Sequence, residues 1–97
     1  MPGFEFFGDE ERKEVNEVLE TGILMRYGFD GPRKGIWKSK ELEAAVSTVF
    51  GCAHAQLTSS GTAALTTAMA ALGIGVGDEV IMPSFTFVAS LEAILSV

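Results

Sequence analysis

An α/β fold, a parallel or mixed sheet with flanking helices, is what the order of segments predicts, and three observations carry it. Two short apolar runs, Ala55-Gln56-Leu57-Thr58 and Val80-Ile81-Met82, have strand length and are bounded by turn residues. Between them, Ala63 to Leu72 is apolar nearly all round, the pattern of a helix buried between layers. A second apolar helical run, Val88 to Leu95, follows the second strand. Two strands joined by a crossover helix are normally parallel and right-handed, so both carboxyl ends share one edge of the sheet. That edge is where open α/β sheets bind ligands.

The elements justify themselves in chain order. Phe4, Phe6 and Phe7 form an apolar arm that wants burial, for instance on a partner subunit. Asp9 is a candidate N-cap, with Glu10 and Glu11 at the positive end of a helix that runs to about Glu20 and stops near Gly22. The narrow stripe of Val15, Val18 and Leu19 predicts a surface helix that docks one edge. Thr21 to Gly35, with Gly22, Gly28, Gly31, Gly35 and Pro32, reads as a long loop. Arg26, Tyr27, Arg33 and Lys34 give it positive character; contact with an anion or a neighbouring subunit and a plain solvated loop are both open readings. From Ser39, a good N-cap, Leu42, Ala45, Val46, Val49 and Phe50 recur at helical spacing, and Gly51 closes the helix. Its stripe is expected in the core, with Trp37 anchoring its start. Residues 1–38 therefore make an arm, helix and glycine-rich loop, and residues 39–97 the start of the α/β domain.

The candidate site lies where the first strand meets its helix. A helix N-terminus leaves N–H groups unpaired and carries partial positive charge, which suits an anion. Gly61 lets such an anion approach the backbone. Ser60 and Thr62 add hydroxyls, although an ordinary N-cap that binds nothing is the plain alternative. The turn Gly75-Val76-Gly77-Asp78 introduces the second strand, and Pro83 ends it because proline cannot donate to a ladder. Ser84 to Phe87 then opens beside the Ser-Gly-Thr turn. One turn offers an anion cradle, the other an aromatic face, a pairing that suits a phosphate beside a flat ring.

Net charge is −6, which argues against nucleic acid, whose phosphates want a basic surface. No basic leader precedes the acidic residues that follow Met1, and the uncharged stretch Ala55 to Gly77 is too rich in Ser, Thr and Gly for a membrane helix. Cys52 is the single cysteine, so no intrachain disulfide forms and a cytoplasmic setting is expected. Cys52 and His54 are too few for a zinc site and read as a buried thiol and a satisfied histidine.

Taken together, SGTAAL and GDEVIMPSFTFVAS at this spacing resemble the N-terminal part of the DegT/DnrJ/EryC1/StrS aminotransferases, and the likeness extends back through the glycine-rich region. That resemblance implies a PLP-dependent transferase of aspartate-aminotransferase-like fold type I, acting as a homodimer. It implies transfer of an amino group from glutamate or glutamine to a keto-sugar, often nucleotide-linked. Ser60, Gly61, Thr62 and Ala63 would hold the phosphate of pyridoxal 5'-phosphate, Phe87 would stack on its ring, and Phe85 would be core. The family's complete enzyme is several times longer than 97 residues, so the chain is expected to be the N-terminal portion of one.

The family's Schiff-base lysine lies well downstream of the phosphate turn, whereas Lys13, Lys34, Lys38 and Lys40 all precede it. Asp78 and Glu79 sit before a strand, on the wrong edge for the ring nitrogen. No catalytic residue is assigned, and the chain alone is not expected to catalyse transamination. Two other readings stay open: a PLP-dependent sugar dehydratase of the same superfamily, and a non-catalytic chain acting only in subunit association.

Overall fold

Helix-forming runs closed by glycine account for most of the observed architecture. In the computed structural model, residues 3–97 are described, and they divide into two compact units, Met1–Ala55 and Gln56–Val97. In the first, a 3-10 turn at Phe4–Phe6 precedes α1 (Asp9–Thr21), the short α2 (Asp30–Arg33) and α3 (Lys38–Phe50). In the second, α4 (Gly61–Ala71) and α5 (Ala89–Leu95) are joined by an irregular segment.

α1 begins where the acidic run predicts. The Glu11 carboxylate reaches back to accept from the Gly8 N–H at 2.7 Å, so Gly8 rather than Asp9 is the cap. That bond holds the Glu11 carboxyl below its usual pKa. α1 ends at Gly22 and α3 at Gly51, both left-handed at φ 66° and 63°. A side chain at either position would strain the backbone. α3 starts one residue before the expected Ser39, with Trp37 at its cap position.

The predicted long loop is partly helical. Pro32 stands in the first turn of α2, where its missing N–H costs nothing. Phe29 and Lys34, the residues on either side of α2, both adopt left-handed φ, 61° and 53°. These bracket Arg33, which is buried instead of solvated.

Lys38 joins α1 to α3. Its ammonium lies 2.6 Å from Glu14 and 2.6 Å from Glu17 on α1, and 3.5 Å from Glu41 on its own helix. Hydrogen bonds to Glu14 and Glu17 push the Lys38 pKa up, and the same contact lowers that of Glu17. Arg26 adds a second link through Glu43 at 2.6 Å.

In the second unit, α4 and α5 pack on each other. Ala93 is fully buried between them and is the one buried apolar residue among those described. The Thr66 and Ser96 hydroxyls meet at 3.2 Å across the pair.

The α/β fold is corrected by these observations. Among the described residues there is no strand and hence no sheet; Ala55–Thr58 and Val80–Met82 lie in irregular backbone. A strand is stable only through a ladder to a neighbouring strand. Apolar runs of strand length form none where no second run pairs with them. Ile81 is accordingly 101 % exposed rather than buried. The same reason undoes other burial expectations. α4 has no layers to lie between, and Leu65 and Leu72 face solvent. The α3 stripe leaves Leu42, Val49 and Phe50 exposed, and Phe85 is 99 % exposed instead of core.

Candidate functional site

The sequence-predicted site falls wholly within residues 56–97. Ser60 is extended and caps α4, with its Oγ accepting from the Ala63 N–H at 3.1 Å. The Ser60 carbonyl accepts from the Ala64 N–H at 3.0 Å, and the Thr58 hydroxyl donates to that same carbonyl at 3.0 Å. Cap and turn together fix the helix start, as the Ser-Gly spacing predicts. An added Cβ at Gly61 would meet nothing within 4 Å, so the backbone there is open. Thr62 and Ala63 are half-buried.

Phe87 precedes α5 and is 78 % exposed. Two concavities mark this unit. One, of about 300 Å³, lies between α4 and α5 and is closed by Val80 to Pro83, with Leu65, Met69 and Ile94 in its wall. The other, of about 210 Å³, runs from Gln56 and Thr58 along Ala64, Ala68 and Ala71. Neither wall contains Ser60, Gly61, Thr62, Ala63 or Phe87. The cradle and the aromatic face expected to grip two ends of one ligand do not line either of these cavities.

Three of the four lysines have distinct surroundings. Lys38 is held in the charged form by Glu14 and Glu17. Lys40 lies 3.4 Å from the centroid of the Trp37 ring. Lys13 pairs loosely with Glu17 at 4.0 Å.

Cys52 and His54 are both exposed, contrary to the burial expected of them. Among the described residues, no three His, Cys, Asp or Glu side chains gather in a group able to hold a metal ion.

Sequence reasoning missed the most buried charge among the described residues. Arg33 is 5 % exposed, and its Nε donates to the Gly28 carbonyl at 2.9 Å. Its guanidinium stacks 4.5 Å from the Trp37 ring centroid. The signal available was an arginine four residues before the lone tryptophan, just after a glycine-rich turn. On its own that spacing does not separate burial from solvation.

A family model supplies the class. The DegT/DnrJ/EryC1/StrS aminotransferase family matches residues 6–97. The chain belongs to this family. Membership is a statement about sequence, and what the resemblance implied beyond it is corrected by the fold. A type I PLP enzyme holds its cofactor at the edge of a sheet, and among residues 3–97 no sheet exists. The residues present do not fit pyridoxal 5'-phosphate. Ser60 Oγ caps Ala63 and keeps its hydroxyl proton to donate, but neither Ser60 nor Phe87 lines either cavity. The recognition as a PLP-dependent sugar aminotransferase, the enzymatic activity and the cofactor are therefore withdrawn for this chain. Its expected partners, a keto-sugar, an amino-acid donor and the homodimer built around that active site, lose their basis with it.

Proposed function

We propose that this chain acts without catalysis of its own, by associating with another chain of its family. The observation that carries the reading is the apolar surface of residues 56–97. Val76, Ile81 and Phe85 are fully exposed, and Leu72, Phe87 and Leu95 about three-quarters so, while only Ala93 is buried. Scattered exposed leucines are ordinary, but a unit with this many large apolar side chains outside bears the mark of an interaction face. Covering a side chain the size of Ile or Phe contributes about 1.5–3 kcal/mol. Association itself costs about 4–15 kcal/mol, so several of these side chains must be covered together to hold a contact.

The sequence-predicted site enters this reading as surface. The cap at Ser60 satisfies Ala63 and leaves the Gly61 and Thr62 N–H groups outside the helical ladder. With Thr62 and the exposed Phe87 ring they offer a partner polar and aromatic contacts at the two helix starts. The exposed Phe4, Phe6 and Phe7 offer a separate apolar patch on the first unit.

The test is co-purification with a full-length family member. Size-exclusion chromatography with light scattering is run on the tagged chain, the untagged partner and the mixture. The expected result is a complex of defined mass that survives gel filtration at micromolar concentration. Two species that elute separately at tens of micromolar would rule the reading out.

A further inference from the structure

We infer that the groove where Phe7 meets α1 docks a basic amphipathic segment of a partner protein, one with arginines flanking aliphatic side chains. The groove measures about 680 Å³. It lies within the first unit, so the inference stands apart from the apolar surface of residues 56–97. Phe7 and Val15 supply its apolar wall, and both are about half exposed.

Charge names the occupant. Glu10, Glu11 and Glu14 line the same groove against the single ammonium of Lys13. Lys13 already leans towards Glu17 at 4.0 Å, and Glu14 shares Lys38 with Glu17. Among the described residues no cation pairs with Glu10. A purely apolar partner laid over the groove would take the Glu10 carboxylate out of water without a counter-charge, which is unfavourable. An acidic partner would meet like charge. A partner with arginines beside its apolar stripe covers Phe7 and Val15 and pairs the carboxylates at once, in the manner of a helix laid in a groove.

The aromatic rings favour the same chemistry. The Arg12 guanidinium lies 5.4 Å from the Phe7 ring centroid, so a ring of this arm already takes a cation. Phe4 and Phe6, in the turn just ahead, are 71 % and 73 % exposed, and among the described residues no cation lies over either ring. Arginine suits such a surface better than lysine. Its planar guanidinium stacks on ring faces and pairs with a carboxylate through two parallel hydrogen bonds.

The arm is held in place before a partner arrives. The Phe6 N–H donates to the Gly3 carbonyl at 3.1 Å and the Phe7 N–H to the Phe4 carbonyl at 3.2 Å. The Gly8 N–H then ties the arm to α1 through the Glu11 carboxylate at 2.7 Å. Little further ordering of this side opposes docking.

The probe is a fluorescein-labelled helical peptide of arginine, leucine and alanine, with leucines along one face and arginines on both flanks. The full chain is titrated into it and binding is read by anisotropy. Saturable binding is expected, at least tenfold weaker when glutamine replaces the arginines or serine replaces the leucines. Phe7→Ser combined with Val15→Ser should weaken binding at least tenfold, and Glu10→Lys at least threefold. Val49→Ser, at an exposed apolar position on α3, should leave it within twofold. Far-UV circular dichroism checks that the helices are retained; should the double variant lose them, Glu10→Lys and the glutamine peptide decide alone. No saturable binding, equal binding of the arginine and glutamine peptides, or an equal loss in Val49→Ser would overturn the inference. So would a groove filled by a second copy of the chain, seen in light scattering as a dimer that the double variant returns to monomer.

Discussion

Lys38 gathers Glu14 and Glu17 across α1 and α3, and Arg26 reaches Glu43 a turn further on. No ion pair among the described residues joins α4 to α5, where a buried alanine, half-buried Met69 and Ile94 and one pair of hydroxyls lie. The two regions differ in composition before they differ in structure. All seven Lys and Arg residues lie within residues 1–55, while residues 56–97 carry only Asp78, Glu79 and Glu92. The first region thus settles its charges internally and leaves a buried arginine beside an indole. The second has almost no charge to settle, and its apolar side chains, too few of which meet one another, face outward. One sequence can supply local specificity in its first half and an unfilled demand for burial in its second.

Four experiments test this contrast, taken in order of decreasing size. Ala93→Asp places a carboxylate at the buried point of the α4–α5 contact. A loss on the order of 3 kcal/mol is expected. Circular dichroism should show the second unit's helices melting while the first unit's remain. If helix content were unchanged, the α4–α5 contact would not depend on burial of Ala93.

Ile81→Asp acts on the outward face of the same region. A fully exposed position should alter stability by less than about 0.5 kcal/mol. Binding to the family partner should nevertheless weaken at least tenfold, equivalent to about 1.4 kcal/mol. Unchanged affinity in a titration of labelled chain would remove Ile81 from the interface. Ser60→Ala tests the cap. Removing the hydroxyl that accepts from the Ala63 N–H should cost about 1 kcal/mol, read as a lower midpoint in urea.

The smallest effect belongs to the charged region. The Glu17 carboxyl has a depressed pKa in the folded chain, so its contribution is present above its unfolded value of about 4.3. That contribution fades as pH falls through the folded value. The raised pKa of Lys38 acts in the opposite sense: its contribution is present below about 10.4 and is lost only as pH climbs through the higher folded value. Thermal melts should therefore be level from pH 6 to 9 and decline at the acid end. Lys38→Met should flatten that decline.

What was legible in the chain follows the range of the interactions involved. The glycine stops at Gly22 and Gly51, the Ser60 cap and the helix ahead of Leu95 are written in neighbouring residues, and the structure places each within a residue or two of expectation. Strands are not local objects. Val80 to Met82 has strand composition, but a ladder requires a partner elsewhere, and no stretch of sequence reports whether one is in reach. The expected sheet therefore failed while the expected helices stood. The candidate site depended on that sheet to bring its two turns together. Ser60 kept its capping role, which needs only Ala63, whereas its pairing with Phe87 needed the missing framework. Arg33 was hidden for a related reason, since its burial depends on how residues 23–37 fold around Trp37.

The exposed thiol of Cys52 carries a practical consequence. It follows the left-handed Gly51 at the end of α3, and its backbone N–H is tied to the Ser47 carbonyl at 3.1 Å, so the sulfur projects from a fixed base. No second sulfhydryl competes with it. A maleimide dye will thus attach at a single defined place, and the one disulfide two copies can form between themselves tethers them tail of α3 to tail of α3 and is released again by dithiothreitol.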